Sequence, residues 1–422
     1  MSAGTPVRPR TAPVRAVTPP GGTPEVREAS FLGTWNSAVT SYYVLLGATF
    51  LLVAIGLVMV LSSSSIESLA DGDSPYTVFL SQARFALIGL PLLLVASRLP
   101  VRAVRAAAWP VLAAAIVFQL LVFTPLGRGE GGNRNWVALP GFMAQPSEVL
   151  KVALAIWIGA VLARKLPLLH EWKHALVPVV PVAGLAIGVV LLGHDLGTAM
   201  VMVLLVAGAL FVAGVPLRIF GFAALLAAGG VAALTVGSDN RVNRITSWWS
   251  AECDTTNACY QSLHAGWGLA TGGWSGVGLG QSAEKWSYLP AAHNDFIYAI
   301  LGEELGLVGT LLVLGLFALL AFAMVRTMRR HTDPFVKITT AAIFAWVIGQ
   351  AVVNIAVVIG LAPVIGVPLP LVSAGGSALI MTMAALGLLL SFARSEPGAA
   401  EALAARPSVV RRSLAVIGRT RG

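Results

Sequence analysis

Asp295 is the residue best placed for chemistry. It lies in Leu-Pro-Ala-Ala-His-Asn-Asp-Phe-Ile-Tyr-Ala-Ile-Leu-Gly-Glu-Glu-Leu-Gly, residues 289–306, where a long polar segment gives way to an apolar one. An ionisable group at the edge of such a span is costly unless a partner pairs with it or a substrate uses it. Ionised, it could take a proton from a sugar hydroxyl or hold a divalent cation. The structural alternative is a helix N-cap, a role Asp fills well. His293 stands two residues earlier and reads first as an interfacial hydrogen-bonding group. Glu303 and Glu304 follow within the apolar segment, where they should face a polar cavity or pair with arginines.

Other residues invite the same question. Arg241 and Arg244 carry bidentate donors suited to phosphate. Five of the eleven tryptophans fall between Trp248 and Trp286, as an aromatic belt or as a platform for an amphiphile. The Gly-rich run 266–280 matches neither a phosphate loop nor a dinucleotide fingerprint, which leaves a flexible or re-entrant connector. Gln145-Pro146-Ser147-Glu148 through Lys151 opens an apolar run, with Pro well placed at a helix start. Glu148 and Lys151 are three apart and share a face, as internal glue or as the lining of a substrate cavity. Arg134, Asn135 and Trp136 precede them. Asp195 either caps the run that follows it or binds an arginine of the long loop. Pro363, Gly366, Pro368, Pro370, Gly375 and Gly376 give irregular backbone that must be buried or line a cavity. Asn354, on the span before, is placed to bond its freed groups. Cys253 and Cys259, the only cysteines, form a short disulfide or remain two free thiols.

The elements that carry these residues are membrane helices. The chain has 422 residues, of which 57% are hydrophobic and 11% charged. Soluble domains carry about 25% charged residues. The net charge of +9 resides mostly in short loops and tails, which argues against a nucleic-acid partner. The first 30 residues hold no apolar core, so no cleavable signal peptide is expected there. With about 20 apolar residues needed per crossing, ten spans are predicted: 42–61, 77–96, 104–124, 147–163, 175–192, 197–213, 218–237, 300–325, 337–360 and 376–393. The expected fold is an all-α integral membrane protein with a large extracytoplasmic loop, 238–299, between helices seven and eight. Residues 1–40 and 395–422 are expected to be cytoplasmic tails, the first disordered and the second basic, flanking a polytopic domain over 41–394. Arg98, Arg102, Arg105, Arg164, Lys165, Arg326, Arg329 and Arg330 all fall on the side of the two basic tails, whereas Glu67, Asp71 and Asp73 fall opposite. No inverted repeat is visible, which argues against a transporter.

Together these stretches resemble the SEDS family of bacterial peptidoglycan glycosyltransferases, over about residues 40–393. The resemblance is carried by Arg-Asn-Trp at 134–136, Gln-Pro-Ser-Glu-Val-Leu-Lys at 145–151, Asp-Leu-Gly-Thr-Ala at 195–199 and Arg-Val-Asn-Arg-Ile at 241–245. It continues through Gln261-Ser262, 290–306 and Pro368-Leu369-Pro370 to Ser377. Lys285-Trp286 and His-Asn-Asp-Phe-Ile-Tyr at 293–298 are more similar to the cell-division branch than to the elongation branch. Ala374 departs from the aromatic residue common in the family, and His194 from its usual Gln-Pro. The resemblance implies polymerisation of lipid II into glycan strands at the division septum, with release of undecaprenyl pyrophosphate. It implies Asp295 as catalytic residue and metal ligand, and Mg²⁺ or Mn²⁺ as cofactor. It further implies substrate contacts by Arg134, Trp136, Glu148, Lys151, Arg241, Arg244, Gln261, Ser262 and His293. A class B penicillin-binding protein, acting as transpeptidase, and other divisome membrane proteins are the implied partners. Two rival readings keep the fold and change the function. A lipid II flippase would move substrate along internal charges such as Arg84, Glu148 and Lys151 and need no loop carboxylate. A divisome scaffold would need neither.

Overall fold

The structure is a computed structural model. It describes residue 37 and residues 39–404, apart from 131–132, 141, 170, 223–224, 226–228, 231–258 and 287. Contacts divide the chain into residues 1–37 and 38–422, and every described helix and strand belongs to the second unit. Arg241, Arg244 and Cys253 lie outside the described residues, as does most of the expected span 218–237.

Apolar sequence and helix go together throughout. The chain enters α1 (Thr40–Ala70), α2 (Thr77–Ala96), and the shorter α3 (Val101–Ala106) and α4 (Ala108–Leu120). It continues through α5 (Pro146–Lys165), α6 (Trp172–Leu176), α7 (Val179–Leu192) and α8 (Leu196–Val212). Beyond residue 258 come α9 (Tyr260–Gly272), α10 (Ile297–Arg330), α11 (Pro334–Val358), α12 (Gly376–Arg394) and α13 (Ala399–Ala404). Five of these are long and apolar enough to cross a membrane: α1, α2, α10, α11 and α12. Three shorter apolar helices, Ala108–Phe123, Val179–Leu192 and Leu196–Val212, fall on the third, fifth and sixth expected spans. The fifth begins late because Pro178, which has no N–H to give, parts α6 from α7.

The helix α5 lies at the centre, with residues 146–148 and 150–162 all buried. It packs against α4, α8 and α11. Close approach depends on small residues, as is usual between membrane helices. A Cβ at Gly159 would lie 2.0 Å from Thr339 Oγ1 of α11, and one at Gly387 of α12 would lie 2.5 Å from the Leu93 carbonyl of α2. One end of the bundle gathers Arg105, Arg330 and Arg394. There Arg105 pairs with Asp333, Arg394 Nη1 donates to the Ser97 carbonyl at 3.1 Å, and Arg330 lies 3.6 Å from the buried Glu396.

Two departures from the expected fold concern its outer elements. The all-helical expectation fails between α4 and α5. There β1 (Gly127–Glu130), β2 (Asn133–Leu139) and β3 (Phe142–Ala144) form an antiparallel sheet in the order β1-β2-β3. Polar Arg134 and apolar Val137 face opposite ways, exposed and buried, the two-residue alternation of a half-buried strand. The second departure is a break in α10 at Gly306, whose φ of 66° is not helical. The Gly-rich run enters that break. Val277 N donates to the Glu303 carbonyl at 2.9 Å, Gly278 N to that of Glu304 at 3.0 Å, and Leu307 N to the Gly273 carbonyl at 2.9 Å. The connector, expected to be flexible or re-entrant, is in its first part the helix α9 and in its second a backbone insert that restores hydrogen bonds lost at the break.

Candidate active site

Asp295 does not cap α10. The N-cap is Phe296, which makes no side-chain bond to the first turn. The half-buried carboxylate instead stands at the end of a tightly held turn. Ala291, at φ 56°, accepts at its carbonyl from the amides of Asn294 at 3.0 Å and Phe296 at 3.4 Å. The carbonyls of residues 293, 294 and 295 are each tied to another part of the molecule. Ala374 N donates to His293 O at 2.9 Å, Ser373 Oγ to Asn294 O at 2.6 Å, and Asn354 Nδ2 to Asp295 O at 2.8 Å. The irregular segment before α12 therefore forms a wall beside the carboxylate. Gly366 is so near that a Cβ there would lie 3.5 Å from Asp295 Oδ2.

That wall is held from both sides by side chains inside apolar helices. Asn354 Nδ2 also donates to the Val367 carbonyl at 2.8 Å, in line with its expected role. One turn earlier on α11, Gln350 Nε2 donates to the Pro368 carbonyl at 2.8 Å. Gln82 of α2 donates to the Ser373 carbonyl at 3.1 Å and accepts from Gly375 N at 3.2 Å. Sequence reasoning passed over Gln350 and Gln82. The signal for Gln350 was available: it and Asn354 are polar residues four apart on one face of an apolar helix.

Glu148 and Lys151 do pair, at 2.9 Å, and both are buried, at 4% and 2% exposure. Lys151 Nζ also lies 3.4 Å from Gln350 Oε1 and 4.6 Å from the centre of the Trp346 ring. The ion pair thus reaches the Asp295 wall through Gln350. Asp195 caps α8, accepting from Thr198 N at 2.9 Å. It also accepts from Asn135 at 3.1 Å and Gln145 at 3.3 Å, so the structural alternative holds. Asn135 lies between Arg134 and Trp136 on β2, and through it the sheet joins the starts of α5 and α8. Arg134 itself is exposed, with Nη2 donating to the Thr124 carbonyl at 3.1 Å.

His293 Nδ1 lies 2.9 Å from Glu67 Oε2 at the end of α1. Gln261 and Ser262 sit half-buried in the first turn of α9. Cys259, just before them, is disulfide-bonded. Glu303 and Glu304 pair with no arginine among the described residues. Glu303 accepts from Ser282 Oγ, from Ala283 N at 2.9 Å and from Glu284 N at 3.4 Å. Glu304 lies 3.3 Å from Lys285 Nζ and accepts from Ser62 Oγ at 2.6 Å. These contacts fix the 275–290 segment against α1 and α10. Lys285 was not foreseen as their partner, because a loop folding back nineteen residues leaves no periodic trace. Burial pushes the Glu284 carboxyl up, and neighbouring Glu303 adds to this, while the 2.6 Å bond to His264 partly opposes it.

No cluster of three or more His, Cys, Asp or Glu side chains able to hold a metal occurs among the described residues. The site has instead one carboxylate with hard oxygen donors, set in a rigid turn. It can accept a proton or bind one face of a cation. Arg84, which a translocation path would need inside, is exposed on α2.

Comparison with known proteins adds a family. The model of the FtsW, RodA and SpoVE cell cycle proteins matches residues 43–397. The probable peptidoglycan glycosyltransferase FtsW of Mycobacterium tuberculosis is 41% identical over 397 residues, covering 94% of this chain and 75% of that protein. A solved structure described as "Structural coordination of polymerization and crosslinking by a peptidoglycan synthase complex" contains a chain with a TM-score of 0.69 and 26% identity. The match covers 84% of this chain and 98% of that one. The rod shape determining protein RodA of Thermus thermophilus matches with a TM-score of 0.63 and 26% identity, over 83% of this chain and 96% of that one.

Proposed function

This chain belongs to the FtsW, RodA and SpoVE family of cell cycle proteins, the SEDS proteins, and on that footing we propose that it is a peptidoglycan glycosyltransferase acting in septal wall synthesis. It polymerises lipid II. The observation within the molecule that carries this reading is Asp295, a carboxylate outside the cap of α10 whose turn is tied down at three successive carbonyls.

The acceptor lipid II presents a sugar 4-hydroxyl. Asp295 accepts its proton, and the oxygen attacks the anomeric carbon of the growing strand. The new bond is carbon to oxygen; the bond that breaks joins that carbon to the pyrophosphate. Undecaprenyl pyrophosphate leaves with the electron pair. One carboxylate suffices because this leaving group needs no proton, unlike the alcohol released by glycoside hydrolases, which use a second carboxyl. Arg134, Arg241 and Arg244 are the proposed electrostatic partners of the pyrophosphate. Trp136, Gln261, Ser262 and His293 complete the proposed substrate contacts, whereas Glu148 and Lys151, expected among them, are buried against each other and act on the site through Gln350.

The donor set fits Mg²⁺ or Mn²⁺ held partly by substrate. Such ions are commonly bound by one or two carboxylates with phosphate oxygens completing the shell, and Asp295 is the residue that would hold one here. Bound, the ion would offset negative charge on the pyrophosphate.

The partner is proposed to be a class B penicillin-binding protein, working with other divisome membrane proteins; likeness to a chain of a synthase complex supports this. The chain spans the cytoplasmic membrane several times, with both tails proposed to be cytoplasmic and the Asp295 end outside, at the septum. The basic residues gathered at the opposite end support that orientation.

Purified protein in detergent, given lipid II with and without the class B partner, tests the reading. Glycan polymer is expected. Movement of lipid II across vesicles without polymer would favour the flippase, and neither activity would favour the scaffold.

A further inference from the structure

We propose that Asn354 is a positioning residue for the reaction: its single amide sets the Asp295 carboxylate against the Gly366–Val367 backbone. This role rests on the glycosyltransferase reading of Asp295. Asn354 is 2% exposed in the apolar helix α11, where a polar side chain is costly to bury without partners. Its two N–H groups go to two different carbonyls, those of Asp295 and Val367, both at 2.8 Å. With both donors engaged on acceptors, the amide can face only one way.

Those two carbonyls belong to the two sides of the site. One is the peptide of the reacting residue. The other follows Gly366, the residue whose Cα faces the Asp295 carboxylate. Ser373 and Ala374 hold Asn294 and His293 from within the same irregular segment, which Gln82 and Gln350 tie to α2 and α11 without touching the Asp295 peptide. Asn354 is anchored in a membrane helix. It fixes the turn and the segment to the bundle at once, and so sets the width of the space between them. A shift of about 1 Å in such a space can cost 100-fold in rate.

The test uses full-length protein with its class B partner and lipid II as the probe. Asn354→Asp keeps the shape but, protonated by burial, has one donor and can bridge only one of the two carbonyls; Asn354→Leu removes the polar group; Asn354→Gln keeps the amide on a longer stem. The expected result is a fall in kcat per folded molecule of about 100-fold in Asn354→Asp and Asn354→Leu, with KM for lipid II within threefold of wild type. Asn354→Gln should recover at least tenfold of that loss. If Asn354→Leu does not fold, Asn354→Asp against Asn354→Gln decides. A kcat per folded molecule within threefold of wild type in both Asn354→Asp and Asn354→Leu would overturn the inference, as would a loss confined to KM or to the folded fraction. Polymer from wild type is the control: its absence would sink the glycosyltransferase reading itself, whereas active wild type beside equally active variants sinks only the role of Asn354.

Discussion

Lys151 and Glu148 form an ion pair buried inside the bundle, and its members should not tolerate separate removal. Taking one away leaves an uncompensated charge, at a cost of about 3–5 kcal/mol, whereas removing both together is often close to neutral. Lys151→Met alone should therefore lower thermal stability in detergent sharply, and Lys151→Met with Glu148→Gln should restore most of it. Additive losses in the double variant would contradict this. Glu284 makes a prediction in pH. Its carboxyl is raised above the ordinary 4.5, mainly by burial, so the folded protein holds this proton more tightly than the unfolded chain does. The stabilisation is complete below 4.5 and is lost as pH climbs through the raised value. Relative to Glu284→Gln, the wild-type melting temperature should fall over that interval; parallel curves would count against it. At this scale the sequence was a good guide where spacing is local. The Glu148–Lys151 pair follows from a separation of three, and the Asp195 cap from its place before α8. Lys285 against Glu304 and His293 against Glu67 depend on distant segments meeting, which no spacing announces.

Among elements, apolar length was the reliable signal. The second span was expected at 77–96 and α2 occupies those residues; α5, α8, α11 and α12 fall within a few residues of expectation. Hydropathy could not see breaks. It carried one span across Pro178 and another across Gly306, because a break in the backbone leaves the apolar average of a span almost unchanged. It also missed the sheet over 127–144, whose strands are too short and too polar to register. The Gly-rich run gives the sharpest test at this scale. Gly276 has φ +78°, and a Cβ there would lie 2.1 Å from the Glu304 carbonyl. Gly276→Ala should cost more than about 2 kcal/mol in stability and should disturb the approach to Asp295. Gly266 is a helical glycine of α9 with nothing within 4 Å of its Cβ position. There Gly266→Ala should be neutral or stabilise by about 0.5–1 kcal/mol. Equal losses for the two, read by thermal unfolding, would mean that the insert at the α10 break does not hold this segment.

The described helices of residues 38–422 form a bundle with two unlike ends. One end gathers Asp295, Asp195, Glu67 and the polar side chains that tie their loops; the other gathers Arg105, Arg330, Arg394 and their acceptors. The charge asymmetry was readable in the sequence, because it sets how a chain inserts. Of the polar layer under Asp295 only Asn354 was foreseen, because Gln82 and Ser373 meet from segments far apart in the chain. A reporter fluorescent only in the cytoplasm should glow when fused after residue 404, and a reporter enzyme active only outside should work when inserted near Trp274; the reverse pattern would invert the proposed orientation. The central claim is that Asp295 carries out the chemistry. Its most direct test is polymerisation of lipid II by the purified protein with the proposed class B partner, comparing wild type with Asp295→Asn. Glycan strands are expected from wild type, and at least a 100-fold loss in the variant, with folding and partner binding intact. Equal polymer from both would remove Asp295 from the reaction.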